Sequence, residues 1–229
     1  YTRKRVEEIL KLTRFSQTSS NSTRRGPITP NLSFEQYEQI FHKAREQILE
    51  GNTYQIKISV RYSAETQVNP LTAFEKLTKA NPSPEAFVLN WGKFALISCS
   101  PETVIRKIEN KILTRPIGGT FEKKNQSNSQ QQINDFLSNE KEISEHNMLI
   151  DLERNDLSRI CTPGSVKIDQ LRVVEPYVHL YHLVSTISGR VKNNVSTPEI
   201  LKAMLPGGTI TGCPKHRTIE LINQLEPGF

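Results

Sequence analysis

The sequence predicts a protein of mixed α and β elements, and three kinds of pattern carry that expectation. Stretches with an apolar residue every third or fourth position, a stretch that alternates strictly, and short apolar runs joined in pairs by turn residues all occur within 229 residues. That length suits one large domain or two small ones, and 35% hydrophobic with 24% charged residues is ordinary for a globular chain. No apolar run approaches membrane-spanning length and no signal-like segment opens the chain, so a soluble, cytoplasmic protein is expected. Cys99, Cys161 and Cys213 are odd in number and lack CxxC spacing, which argues for free thiols against a disulfide framework or a structural zinc site. The formal charge of +6 raises nucleic-acid binding as a class, but the Lys and Arg residues are scattered rather than striped, so a solvated basic exterior accounts for them better.

In chain order, residues 1–15 carry a basic helical pattern and residues 16–32, rich in Ser, Thr, Asn and Pro, read as a linker. Ser33 with Gln36 forms a capping box, and the stripe Tyr37, Ile40, Phe41, Ala44 and Ile48 makes a helix that Gly51 terminates. Tyr54 to Tyr62 then alternates, setting Tyr54, Ile56, Ile58, Val60 and Tyr62 on one face of a strand and Gln55, Lys57, Ser59 and Arg61 on the other. Two hairpins follow, Ala86–Ile97 turning at Trp91-Gly92-Lys93 and Val104–Thr114 turning at Glu109-Asn110-Lys111. Segment 122–132 has no apolar face and predicts a loop. After it come a helix over about Ile133–Asp151, strands over Ser165–Val174 and His182–Val191, and helices over Pro198–Met204 and Lys215–Gln224.

Several residue types in this order suit chemistry. Glu142 and Glu145 stand three apart on one helix face, a pair that fits a hard cation such as Mg²⁺, although a solvated acidic face satisfies the same spacing. The runs Gly118-Gly119-Thr120 and Gly207-Gly208-Thr209 allow backbone to approach a ligand, or are ordinary turns. Neither run matches a nucleotide phosphate loop. His182 is a core histidine or a catalytic one, and Glu102, at the end of an apolar strand, is a candidate acid or base.

Taken in order, Tyr54-Gln55, Ser100-Pro101-Glu102, Arg115 to Thr120, Glu145 to Asp156, His182 to Ser185 and Gly208 to Lys215 resemble the motifs of the chorismate-utilising enzymes. The resemblance runs from about Leu32 to the last residue. It implies an α+β fold of two packed β-sheets flanked by helices, with the active site in the cleft between them. It implies a Mg²⁺-dependent exchange on the chorismate ring, with Glu102 as acid/base, His182 close to the ring, and Glu145 with Glu142 on the metal helix. Thr120, Gly119, Gly208 and Thr209 match positions that line the substrate site. Gln55 stands where water-adding members have a lysine and amine-adding members a glutamine, so ammonia from a glutamine amidotransferase subunit is the implied nucleophile.

Within the amine-adding members, Gly208-Thr209-Ile210-Thr211-Gly212-Cys213-Pro214-Lys215 looks like the aminodeoxychorismate-forming branch. Gly118 departs from it, because that branch carries a lysine there that attacks the ring, and the anthranilate-forming branch carries alanine. Without that lysine ammonia attacks directly, or another lysine such as Lys57 substitutes. Motif count favours the aminodeoxychorismate branch, with anthranilate formation or a degenerate, non-catalytic chorismate-binding fragment as alternatives. Compared with the family pattern, 1–32 reads as a remnant of an N-terminal region and 33–229 as a chorismate-binding domain lacking its C-terminal segment. A chain truncated at both ends is expected to be inactive alone.

Overall fold

A computed structural model describes residues 23–24, 26–123, 129–178 and 180–226. Their order is β1 (Thr23–Arg24), β2 (Thr29–Pro30), α1 (Phe34–Leu49), β3 (Tyr62–Ser63), β4 (Thr66–Gln67), α2 (Pro70–Ala80), β5 (Glu85–Asn90) and β6 (Ala95–Ser100). Then come β7 (Thr103–Ile108), β8 (Lys111–Arg115), β9 (Ile117–Glu122), α3 (Ser129–Leu137), α4 (Glu140–Ile160), β10 (Lys167–Pro176), β11 (Leu180–Arg190), α5 (Thr197–Met204), α6 (Gly208–Thr211) and α7 (Lys215–Leu225). The fold is α+β, with antiparallel sheets flanked by helices.

The centre of the molecule is a five-stranded sheet in the order β10-β11-β8-β7, with β9 also paired to β11. Strand β11 is buried along most of its length and receives three neighbours, which fixes what lies beside His182. Helix α4 packs across this sheet on β9 and β11 and against α5. Its apolar stripe closes the core, where Ile150 and Leu157 meet Ile112, Ile187 and Met204. Asn139 caps α4 by accepting from the backbone N–H groups of Lys141 and Glu142, which satisfies orphan donors and sets the first acidic turn at the edge of the sheet. The β5–β6 hairpin forms a separate ribbon on which α2 rests.

The Ser33–Gln36 capping box is present, and Gly51, with φ +76°, follows the α1 C-cap. Both predicted hairpins form, and Cys99, Cys161 and Cys213 are free thiols. Four expectations need correction or bounding. The predicted strand Tyr54–Tyr62 is not one, since only Tyr62 lies in a ladder and 54–61 run without regular structure. Its backbone groups bond elsewhere instead: Tyr54 N–H to the Cys213 carbonyl, Ser59 N–H to the Glu226 carboxylate and Arg61 N–H to the Asn31 side chain. Within the expected linker 16–32, the described residues pair, β1 with β4 and β2 with β3. The helix expected over 1–15 lies wholly outside the described residues, and the expected loop 122–132 partly so, but helix begins already at Ser129. The single helix expected over Ile133–Asp151 is two, broken at Ser138-Asn139 because Asn139 turns to cap the second.

Candidate active site

A cleft of about 490 Å³ opens where the sheet, which carries Gly118-Gly119 within strand β9 rather than in a turn, meets α4 and the glycine turn 207–212. It gathers Gln55, Lys57, Glu102, Gly118, Gly119, Thr120, Glu142, Glu145, His182 and Thr209 from segments spread over more than half the chain.

The sheet builds one wall. Register places His182 on β11 opposite Thr120 of β9 on one side and Glu175 of β10 on the other. The His182 Nδ1 and the Thr120 hydroxyl lie 2.9 Å apart, and the ring also bonds the backbone of Gly119. Burial lowers its pKa from the usual value, against the opposing pull of Gly119 and Glu175, so the imidazole is held neutral near pH 7. Tyr177 meets the His182 ring edge-on at 4.7 Å and donates its hydroxyl to the Pro101 carbonyl at 3.3 Å. This tyrosine thereby ties the histidine to the Ser100-Pro101-Glu102 corner. Sequence reasoning passed over it because nothing local marks it.

Glu102 sits after β6, at the irregular start of the β7–β8 ladder. One carboxylate oxygen accepts the Ile117 N–H at 3.3 Å and the other accepts the Thr209 hydroxyl at 3.3 Å. Burial raises its pKa, with the two hydrogen bonds and the Lys57 ammonium pulling the other way. A carboxyl held in this way keeps its proton closer to neutral pH than a free glutamate does, the condition for a general acid. Lys57 is exposed at the rim of the cleft.

Glu142 and Glu145 both line the cleft from α4, Glu142 half-buried and Glu145 exposed. Neither carboxylate pairs with a cation among the described residues. Among those residues no group of three or more His, Cys, Asp and Glu side chains forms a metal cage. Two helix carboxylates facing a cleft fit a Mg²⁺ ion that takes its remaining oxygens from water and substrate.

Gly118 is a glycine for a spatial reason. A Cβ there would lie 2.0 Å from His146 Nδ1 and 2.9 Å from the His146 Cα, so α4 occupies the space a side chain would need. His146 is fully buried, its Nε2 2.7 Å from the Ser185 hydroxyl, and burial lowers its pKa to about 4.

The turn 207–212 forms the other wall, and here one expectation fails. Gly208 does not line the cleft: it is buried, and its N–H donates at 3.2 Å to the Glu153 carboxylate on α4. Thr209, one residue on, does face the cleft, donating to Glu102 and accepting the Gln55 side-chain amide on its carbonyl at 3.3 Å. The Gln55 side-chain oxygen is buried and has no hydrogen-bond partner among the described residues. Lys215, the last residue of the 208–215 motif, turns inward to form a buried ion pair with Asp156. Glu153, also missed, is 3% exposed. Its spacing from Leu149 and Asp156 on the inward face of α4 was the available signal.

The comparisons agree with the motif order. A family model described as chorismate binding enzyme matches residues 2–228. The chain is 41% identical over 198 residues to an anthranilate synthase component I-like protein of Synechocystis, a match covering 84% of this chain and 40% of that protein. It is 38% identical over 192 residues to aminodeoxychorismate synthase component 1 of Bacillus subtilis, covering 83% and 41%. Anthranilate synthase component I from Streptococcus pneumoniae superposes with a TM-score of 0.84 at 30% identity, covering 97% of this chain and 50% of that one. The chain spans about two fifths of the length of the curated relatives it matches.

Proposed function

Because the chain belongs to the chorismate-binding enzyme family, we propose that its cleft takes chorismate and replaces the ring 4-hydroxyl with an amino group, giving 4-amino-4-deoxychorismate. The observation that carries this reading is the convergence of Glu102, His182, Gln55 and the Glu142–Glu145 pair on one cleft. Glu102, with its raised pKa, donates a proton to the departing hydroxyl. His182, neutral and fixed by Thr120, orients the ring. The unpartnered Gln55 oxygen accepts an N–H of ammonia and aims it; an amide cannot serve as the base that water would require, and ammonia needs none. Glu142 and Glu145 would hold Mg²⁺, which when bound neutralises a substrate carboxylate that these two side chains would otherwise repel. Ammonia would come from a glutamine amidotransferase subunit.

One observation favours anthranilate formation as the second reading. The space beside Gly118 is filled by His146, so the lysine attack that the aminodeoxychorismate-forming branch uses at this position is not open here, and ammonia attacks the ring directly. Incubating the intact protein with chorismate, Mg²⁺ and ammonium and resolving the products by mass separates the two. Aminodeoxychorismate retains the enolpyruvyl group and anthranilate has lost pyruvate. Absence of any product under these conditions removes the enzyme reading.

A further inference from the structure

The cleft has a wall that no ladder supports. Residues 54–61 carry Gln55 and Lys57 into the cleft without pairing to any strand among the described residues, and the turn 207–213 stands directly behind them. Contact there is close. A Cβ on Gly212 would lie 2.3 Å from the Gln55 carbonyl oxygen, and the Tyr54 N–H donates to the Cys213 carbonyl at 2.9 Å. On its opposite side the same turn presses on α4, where a Cβ on Gly208 would lie 2.5 Å from the Leu152 side chain and 3.2 Å from a Glu153 oxygen.

We propose that Glu153 is a positioning residue for this cleft: its buried carboxyl clamps the 207–212 turn to helix α4, and through that turn aims Thr209 at Glu102 and fixes Gln55. This inference rests on the reading of the cleft given above. One Glu153 oxygen accepts the Gly208 N–H at 3.2 Å, and the other accepts the Thr114 hydroxyl from β8 at 3.1 Å, so the carboxyl joins sheet, helix and turn at one point. A step further along the turn, the Thr209 hydroxyl and carbonyl engage Glu102 and Gln55. Two charged groups face the carboxyl, Asp156 one turn along the same helix and Lys215 of α7, which is already paired to Asp156. The turn contributes the Gly208 N–H and β8 the Thr114 hydroxyl. Burial, reinforced by Asp156 and opposed by those hydrogen bonds and Lys215, raises the Glu153 pKa to about 7. A carboxylate holds an amide N–H more firmly than the neutral acid does, so the clamp tightens as pH rises through that range.

Two measurements on the intact protein test this. The first follows the Gly208 amide resonance by NMR from pH 5 to 9, and the second records kcat and KM for chorismate across the same range. In the wild type, the Gly208 amide titrates near pH 7 and kcat falls below that pH. Glu153→Leu removes the clamp and lowers kcat about 10-fold to 100-fold with little change in KM, the scale that small misplacements of reacting groups produce. Glu153→Gln, whose amide oxygen still accepts the Gly208 N–H, recovers much of that loss, abolishes the titration of the amide and flattens the acid limb of kcat. A Gly208 amide that does not titrate, or a Glu153→Gln profile that keeps the wild-type acid limb, overturns the proposal. A wild type that turns over no chorismate sinks the functional reading instead, while the Gly208 titration still decides whether the clamp exists.

Discussion

The two walls of the cleft are built on different principles. On the sheet side, His182 and Thr120 are placed by hydrogen-bonded register, with β11 buried between β9 and β10. On the other side, Gln55 and Lys57 ride on backbone that belongs to no ladder, with Tyr54 74% and Tyr62 67% exposed. They are held by cross-links to the 207–213 turn and by the buried Thr53–Thr218 hydroxyl pair. The first wall is over-determined by many backbone bonds, and the second depends on a few contacts that single substitutions can remove. Position in such a site comes from ladders where neighbours exist and from buried polar tethers where they do not.

The largest effect expected falls where the walls meet. Glu102 bonds Ile117 of the sheet wall and Thr209 of the turn wall at once. Glu102→Gln keeps the shape but removes the proton to be donated, and should lower kcat by about 10²-fold to 10⁴-fold, read from steady-state chorismate consumption. A loss confined to KM would mean that Glu102 only binds substrate. Next comes Lys215→Ala, which leaves the Asp156 carboxylate buried without its partner beneath the turn wall. Urea unfolding should show a loss of about 3–5 kcal/mol. A loss below about 1 kcal/mol, the range of exposed pairs, would show that the pair is hydrated in solution.

A pH comparison sharpens the contrast further. The Glu153 carboxyl titrates near 7 when folded, against 4.5 for the free group. Between those values the folded chain binds a proton that the unfolded chain does not, so this residue's contribution to stability declines as pH rises from about 4.5 to about 7 and is constant beyond. The stability of Glu153→Gln minus that of wild type should therefore climb across that window by on the order of 3 kcal/mol and then level off. A flat difference curve would contradict the buried environment assigned to Glu153. Smallest is Gly118→Ala on the sheet wall, where a methyl group meets the backbone of His146. Overpacking of this kind costs about 1–3 kcal/mol, visible as a lower thermal midpoint, and an unchanged midpoint would mean that α4 yields freely.

How much of this was legible in the sequence varies by region. The hairpins, the capping box and strands β10 and β11 followed from turn residues and periodicity, to within two residues or so at most ends. The cleft residues Glu102, Gly118, Gly119, Thr120, Glu142, Glu145, His182 and Thr209 were all singled out from motif order and do converge. The alternation of Tyr54 to Tyr62 misled, because period-two patterning says which side chains share a face and nothing about whether a neighbouring strand arrives to complete the ladder. Gly208 was misjudged for a related reason. A glycine-rich turn exposes amides, but which ligand takes them, a buried carboxylate or a substrate, depends on what packs behind the turn.

The α+β elements, the family and the candidate site residues are readable along the chain, because they depend on local chemistry and on the order of motifs. Which glutamates face the cleft and which face the interior, why Gly118 has no room for a side chain, and which groups Tyr177 and Glu153 bond follow from the folded arrangement alone. Those outcomes depend on contacts between residues up to 107 positions apart, as Thr209 is from Glu102. No periodicity along one segment carries information about the distance to another.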